Sequence, residues 1–373
     1  MSPPTGGSPA GSSPIAGEPG ASPSPWIVDA HLDLAWNALQ WNRDLTAPCH
    51  VLRVREAGEA GAGRGRNTVS LPDLRRGNVR LCFATVLARS SGTRRAHVDF
   101  DAAEQANAVG HGQLAYYRAL ERRGHLRVIG DLAALDEHLG FTDDALGAVI
   151  AMEGADPILE PEDLFAWAEV GLRLLGLAHY GPGRYAGGTG TDGGLTGLGH
   201  ALLDHLPAAG VILDLTHLAD PAFWQALARY DGPVHVSHGN CRALVPNQRQ
   251  LSDDQVRAVA ERGGVIGVAL DAWMLEPGWV KGRSSNEGVT LARVADHIDH
   301  VVQLTGGTHA VGIGSDLDGG FGREQSPADL DTVADLARLS PLLRERGYGE
   351  DDVAAVLHGN WLRFLRSCWG QAA

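Results

Sequence analysis

Five residues with metal-ligating side chains stand where short apolar runs end. His31 and Asp33 close Val28-Asp29-Ala30-His31-Leu32-Asp33. Glu153 follows Val149-Ile150-Ala151-Met152, His217 follows Val211–Thr216, and His238 follows Val234–Ser237. Residues i and i+2 of a strand point the same way, so His31 and Asp33 are placed to share one divalent ion, with Leu32 turned outward. An ionised Glu153 at the end of an apolar strand is costly unless a cation or hydrogen bonds compensate it. Taken alone, Glu153 also reads as a solvated loop acid and His31 as a hydrogen-bonded core imidazole; the set is what points to metal. Counting back by two puts His217 on one face with Leu215, Leu213 and Val211, and His238 with Val236 and Val234. Both are therefore expected on an inward apolar face, with Asp214, Thr216 and His235 outward. Asp316, in Gly314-Ser315-Asp316-Leu317-Asp318-Gly319, offers a general base for an activated water, and Asp318 is expected to belong to the following turn. Imidazole and carboxylate donors without thiolates suit zinc, with manganese, cobalt or iron also open, and a shared carboxylate bridges two ions about 3.5–4 Å apart.

The elements that must carry these residues are legible as eight apolar runs: 26–33, 79–86, 146–154, 172–179, 210–217, 233–239, 264–270 and 309–319. Runs of this kind read as buried strands. Helix-like stretches alternate with them at 101–123, 161–173, 199–209, 220–229, 252–262, 291–305 and 326–346; Pro161 and Ser252-Asp253-Asp254 are helix-start signals. The pattern predicts a single (β/α)8 TIM-type barrel. An open doubly wound sheet fits the same count, but most strands end in a reactive group (Asp33, Glu153, His179, His217, His238, Asp316), and only a closed barrel gathers all its strand ends at one C-terminal mouth. Two long connections, 44–74 and the glycine-rich 181–197, are expected at that mouth.

Composition narrows the function. The 373 residues carry a formal net charge of −14, which disfavours binding to nucleic acid or anionic membranes. No apolar run is long enough to span a bilayer. Four widely spaced cysteines read as reduced thiols of a cytoplasmic protein. Residues 1–25, rich in Pro, Gly and Ser, read as a disordered leader, and 26–373 as one catalytic domain.

Together, Val28–Leu34, Glu153-Gly154, Asp214–His217, Val236–His238 and Gly314–Gly319, in this order and spacing, resemble the membrane (renal) dipeptidase family of zinc peptidases, peptidase family M19, within the amidohydrolase-like barrels. The resemblance covers nearly the whole chain after the leader. It implies hydrolysis of dipeptides, with His31 and Asp33 on one Zn2+, His217 and His238 on a second, and Glu153 and a hydroxide bridging them. It implies that His179 contacts substrate and that Arg249, in Asn247-Gln248-Arg249, grips the substrate carboxylate; from the residues alone Arg249 reads equally as a solvated loop side chain. A homodimer is implied by the family only. One departure stands out: Asp271 occupies the place of an expected substrate-binding Tyr, and an acid there disfavours a second carboxylate. Hydrolysis of a lactam, a lactone or an N-acyl amino acid by the same machinery therefore stays open, as does a barrel that binds without catalysis.

Overall fold

The computed structural model describes residues 26–93 and 95–370; the leader expected at 1–25 and the last three residues of the expected domain lie outside them. Nine strands form one parallel sheet: β1 (Ile27–Leu32), β2 (Val79–Val86), β3 (Leu126–Val128), β4 (Leu146–Met152), β5 (Leu172–Gly176), β6 (Ile212–Asp214), β7 (Val234–His235), β8 (Ile266–Val268) and β9 (Val311–Ile313). Their order is β7-β6-β5-β4-β2-β1-β9-β8, with β3 set beside β4. The two ends meet where Val236 pairs with Ile266; Val236 N–H donates to Val265 O at 3.0 Å and Gly267 N–H to Val236 O at 2.9 Å. The expected eight-stranded barrel is therefore what forms, and each of the eight expected runs contains one of its strands. The short β3 is an addition.

The barrel has two apolar layers. Between the strands and the surrounding helices, Ala84, Val86, Ile150, Leu213, Val234, Val236 and Val268 pack with helical Tyr117, Trp167, Leu202, Phe223 and Ile298. Inside lie Val28, Ala30, Leu81, Phe83, Val149, Ala151, Leu174 and Ile212, together with Trp361, Phe364 and Leu365 of the C-terminal helix Asn360–Gly370. That helix plugs the barrel floor. Trp361 lies edge-on to Phe83 at 5.1 Å and donates its indole N–H to Ile313 O at 3.0 Å. Phe83 on β2 also meets His235 on β7 at 5.9 Å, a contact across the barrel between strands that are not neighbours. Gly312 makes room for the plug, because a Cβ there would fall 2.3 Å from Trp361 Nε1.

This layering inverts one expectation. Val211, Leu213, Leu215, Val234 and Val236 face the helices, while Ile212 and His235 face inward. β6 and β7 are only 3 and 2 residues long, so the turn that follows loses the phase of the alternation, and counting back from His217 and His238 assigns the wrong face.

Helices Asp220–Arg229 and Leu291–Thr305 have the expected bounds, and Asp253–Glu261 starts under the Ser252 cap. The expected helix 161–173 ends at Glu169, because Gly171 at φ 114 turns the chain into β5. The expected helix 326–346 becomes helical only from Val333, after the Thr332 cap. The long connection 44–74 contains the helix Cys49–Arg55 and the start of Leu71–Arg76. Replacing Trp361 with Ala is expected to cost about 3–5 kcal/mol of stability, measured by reversible urea unfolding.

Candidate active site

β1 carries an irregularity that serves the site. Asp29 pairs with Cys82 and Leu32 with Ala84, so β1 holds one residue more than β2 over this stretch. Such a bulge re-aims side chains. Ala30 stays in the inner core and Leu32 in the helix layer, while His31 and Asp33 both reach the mouth. Asp29 pins the bulge: it accepts from His31 N–H at 3.3 Å, from Ser315 N–H at 2.8 Å and from the Ser315 hydroxyl, tying β1 to the end of β9. Asp33 accepts from the Thr85 hydroxyl on β2.

Glu153 stands at the centre of the mouth. Its Oε1 lies 3.6 Å from His31 Nε2, 3.6 Å from His179 Nε2, 3.1 Å from His217 Nε2 and 3.4 Å from His238 Nε2. His31 Nε2 is also 3.8 Å from Asp33 Oδ1 and 3.9 Å from Asp316 Oδ1. Every sequence-predicted ligand and Asp316 therefore converge on one volume. Three overlapping groups have ligand atoms within 4.8 Å of one another: His31/Glu153/His238, Glu153/His179/His217 and His31/Asp33/Asp316. Glu153 belongs to two of them, as a bridging carboxylate would. The 3.2 Å between His217 Nε2 and His238 Nε2 matches the roughly 3.3 Å that two imidazole nitrogens keep on one tetrahedral ion at metal–nitrogen distances of about 2.05 Å.

Hydroxyls fix the far side of these rings. Thr189 Oγ1 is 2.9 Å from His217 Nδ1, and Ser237 Oγ is 3.0 Å from His238 Nδ1 and 3.5 Å from His31 Nδ1. Ser237 is held in turn by the Thr216 hydroxyl at 3.1 Å and by its own N–H to Asp214 Oδ1 at 3.1 Å. Asp214 also accepts from the Thr216 hydroxyl at 2.6 Å. Asp214 and Thr216, expected outward, are thus the support beneath the site. Occupied Nδ1 atoms leave each Nε2 to face the centre, the arrangement that orients metal-binding imidazoles. His217 arrives there through a left-handed backbone, φ 66, and Asp316 and Asp318 do the same at φ 56 and φ 62. Thr189 is brought in by the glycine-rich loop, where a Cβ on Gly188 would fall 2.0 Å from His179 O.

The electrostatics fit a cation. Burial, with the Arg249 charge adding to it, lowers the His31 pKa to about 3. Burial likewise pushes His179, His217 and His238 far down, so all four are neutral donors. Burial raises Asp33 to about 6. It also drives Glu153 and Asp316 upward, with repulsion from Asp33 contributing to both. Carboxylates crowded this way are stable as anions only against positive charge. His31 Nε2 is buried with no hydrogen-bond partner, an orphan that a metal would satisfy. Exposure divides the set. The side chains of His31, Asp33, Glu153, His217 and His238 are 2, 3, 7, 3 and 1% exposed, whereas those of His179 and Asp316 are 11 and 15% exposed and open on the cavity.

That cavity is about 550 Å³ and includes Trp36, Trp41, Tyr180, Trp273 and Trp279 among its walls. Arg249 lines it, buried, with Nη2 donating to His238 O at 3.1 Å; it is no solvated loop residue. Asp318 belongs to the turn after β9, as expected, but its side chain does not face solvent. It is buried and accepts from Thr68 N–H at 2.7 Å, the Thr68 hydroxyl at 2.8 Å and Val69 N–H at 3.0 Å, with Arg43 Nη1 at 3.3 Å, so it clamps the 44–74 connection to the mouth. Asp271 lines the cavity as expected, but its charge is matched by Lys281 Nζ at 3.3 Å. Sequence reasoning missed Lys281, Tyr180 and the supporting Thr189 and Ser237. Only Tyr180, next to His179, and Ser237, next to His238, carried a positional signal.

A closed parallel barrel whose mouth gathers imidazoles and carboxylates around one shared Glu defines a barrel metallohydrolase. A sequence profile of the membrane dipeptidase family, peptidase family M19, matches residues 23–370, and the chain belongs to that family of hydrolases. An uncharacterized protein in the pqqA 5' region of Klebsiella pneumoniae is 33% identical over 270 residues, covering 69% of this chain and 96% of that protein. Dipeptidase aclJ of Aspergillus oryzae is 32% identical over 201 residues, 53% of this chain and 45% of the fungal protein, so the match spans less than half of that relative. A metallopeptidase from Rhodobacter sphaeroides, solved with a phosphinate mimic of the dipeptide L-Ala-D-Ala, shares the fold with a TM-score of 0.76 at 26% identity, over 93% of this chain and 100% of that one. Among the described residues no helix is long and apolar enough to cross a membrane, and all four cysteines are free thiols.

Thr189→Val keeps the shape of the side chain but frees His217 Nδ1. It is expected to weaken divalent-metal affinity about 10- to 100-fold, measured by competition with a chromogenic chelator.

Proposed function

We propose that the chain is a zinc-dependent dipeptidase that holds two ions: His31 and Asp33 on one, His217 and His238 on the other, Glu153 between them. The observation that carries this reading is the Glu153 carboxylate oxygen within 3.1–3.6 Å of four neutral imidazoles. The five proposed ligands are the least exposed members of the cluster, as befits groups wrapped around an ion. When bound, the metals would supply Lewis-acid polarisation of the scissile carbonyl and a more acidic water.

The chain's own groups do the rest. Asp316, open to the cavity beside His31 and Asp33, takes a proton from the attacking water at its carboxylate and returns it to the departing amine nitrogen. His179 is likewise open to the cavity, and its Nε2–H stabilises the charge that grows on the carbonyl oxygen. Arg249 holds the free carboxylate of the substrate, its guanidinium positioned by His238 O, and so sets the register for a short peptide. The tryptophan walls shield the reacting bond from bulk water. The Asp271–Lys281 pairing removes the objection to a carboxylate-bearing substrate and favours the dipeptide over the lactam and lactone readings.

Elemental analysis is expected to find about two zincs per chain, the number a bridged pair requires, with dipeptide hydrolysis lost on chelation and restored by zinc. A chain that takes up no metal would defeat the ligand assignment; two zincs without dipeptidase activity would redirect the search to the cyclic and acylated substrates. Asp316→Asn is expected to lower kcat by about 10²-fold or more with metal content unchanged, and a kcat close to the parent's would remove Asp316 from the mechanism.

A further inference from the structure

Of the 31 lysine and arginine residues in the chain, only Lys281 is lysine, and it lines the same cavity as Arg249 and Arg95. Its ammonium is held from behind. Asp271, buried, sits 3.3 Å from Lys281 Nζ and is itself fixed by Gln325 Nε2, 2.8 Å from each of its oxygens, and by Trp273 N–H at 3.2 Å. The Trp273 ring lies 5.0 Å from the ammonium. The Lys281 side chain is nevertheless 53% exposed, against 3% for Asp271, so the charge is anchored on one side and open on the other.

The choice of lysine suits a ligand contact. In the pair of Arg242 with Asp220 the guanidinium fork is taken up by the carboxylate, with both bonds at 2.8 Å. An ammonium has three rotatable donors and no fork to saturate, and one contact to Asp271 leaves donors for a second acceptor. A dipeptide has a single free carboxylate, which the proposed function assigns to Arg249. Ions bound by Asp33 and Glu153 would also offset those two acids. The open ammonium of Lys281 then offers the cavity a charged donor that a neutral-side-chain dipeptide does not use.

Position tells which part of the substrate this charge reads. Arg249 and Lys281 line one cavity together with Asp316, and the residue whose carboxylate Arg249 is proposed to hold is the one that departs. The leaving half of a dipeptide is its C-terminal residue.

We propose that Lys281, positioned by Asp271, is a specificity-determining residue that recognises an acidic side chain on the C-terminal residue of the substrate. The inference rests on the dipeptidase reading above. The test compares L-Ala-Asp with the near-isosteric L-Ala-Asn, each in both configurations of the second residue, on the zinc-loaded parent and on Lys281→Met. The parent is expected to favour the Asp peptide, and the ratio of kcat/KM values, Asp over Asn, is expected to fall about tenfold in the variant, as for loss of one charge-assisted hydrogen bond. An unchanged ratio, even with both activities lower, would overturn the inference and leave the dipeptidase reading standing. If the parent hydrolyses neither peptide, the dipeptidase reading fails and a readout without turnover decides the inference. Acetylation of the single lysine, followed by mass spectrometry, is expected to be slowed more by L-Ala-Asp than by L-Ala-Asn; equal rates with the two peptides would overturn it.

Discussion

Glu153 brings a carboxylate into a buried ring of four imidazoles, none of which is charged, with two further acids close by. Among the described residues no lysine or arginine is paired with Glu153. Arg249 contributes at a distance, but its guanidinium is turned to a backbone carbonyl. The rest of the mouth follows from this constraint. Hydroxyls take the outer ring nitrogens so that the inner ones converge, the β1 bulge turns His31 and Asp33 to the same place, and Asp29 locks the two strands that bring Asp316 to His31. A barrel suits the task because only a closed ring of strands delivers donors to one point from opposite sides.

The fold was legible because each barrel strand is a short apolar run and most of the runs end in a polar group of unusual type. The residues that converge at the mouth were legible for the same reason. The direction of individual side chains was not. His31 and Asp33 reach the same place with the help of a bulge between Asp29 and Leu32, and the i, i+2 rule fails for His217 and His238 because β6 and β7 end before those residues are reached. Thr189 could not be recognised as a support from sequence, and Ser237 only by its place beside His238, since a hydroxyl becomes one only when a particular ring nitrogen is brought within reach. Asp271 misled in the opposite sense: read alone it is an unwelcome charge, and its partner lies ten residues on, past a helix of 4 residues.

The long connection 44–74 shows how much a loop can owe to one side chain. Asp318, three backbone and hydroxyl donors, and Arg43 form a buried knot. Arg43 extends it to Glu56 at 2.7 Å and to Asn37 Oδ1 at 2.7 Å. Trp41 stacks beneath Arg43 at 4.4 Å and lines the cavity. The substrate wall on this side is therefore as rigid as the barrel end it is tied to.

His217, Asp316 and Asp318 share a left-handed backbone that few side chains adopt without strain; Asp, Asn, His and Gly adopt it most readily. The geometry of the mouth thus limits its own chemical alphabet. Bulky or β-branched groups are unfavourable at these three places whatever reaction they would perform. New specificities on this scaffold, natural or engineered, have their freedom elsewhere: in the segments around residues 95–98 and 273–281, which line the cavity in ordinary conformations except at His97 and Gly278. Diversification is channelled to the walls while the centre stays fixed.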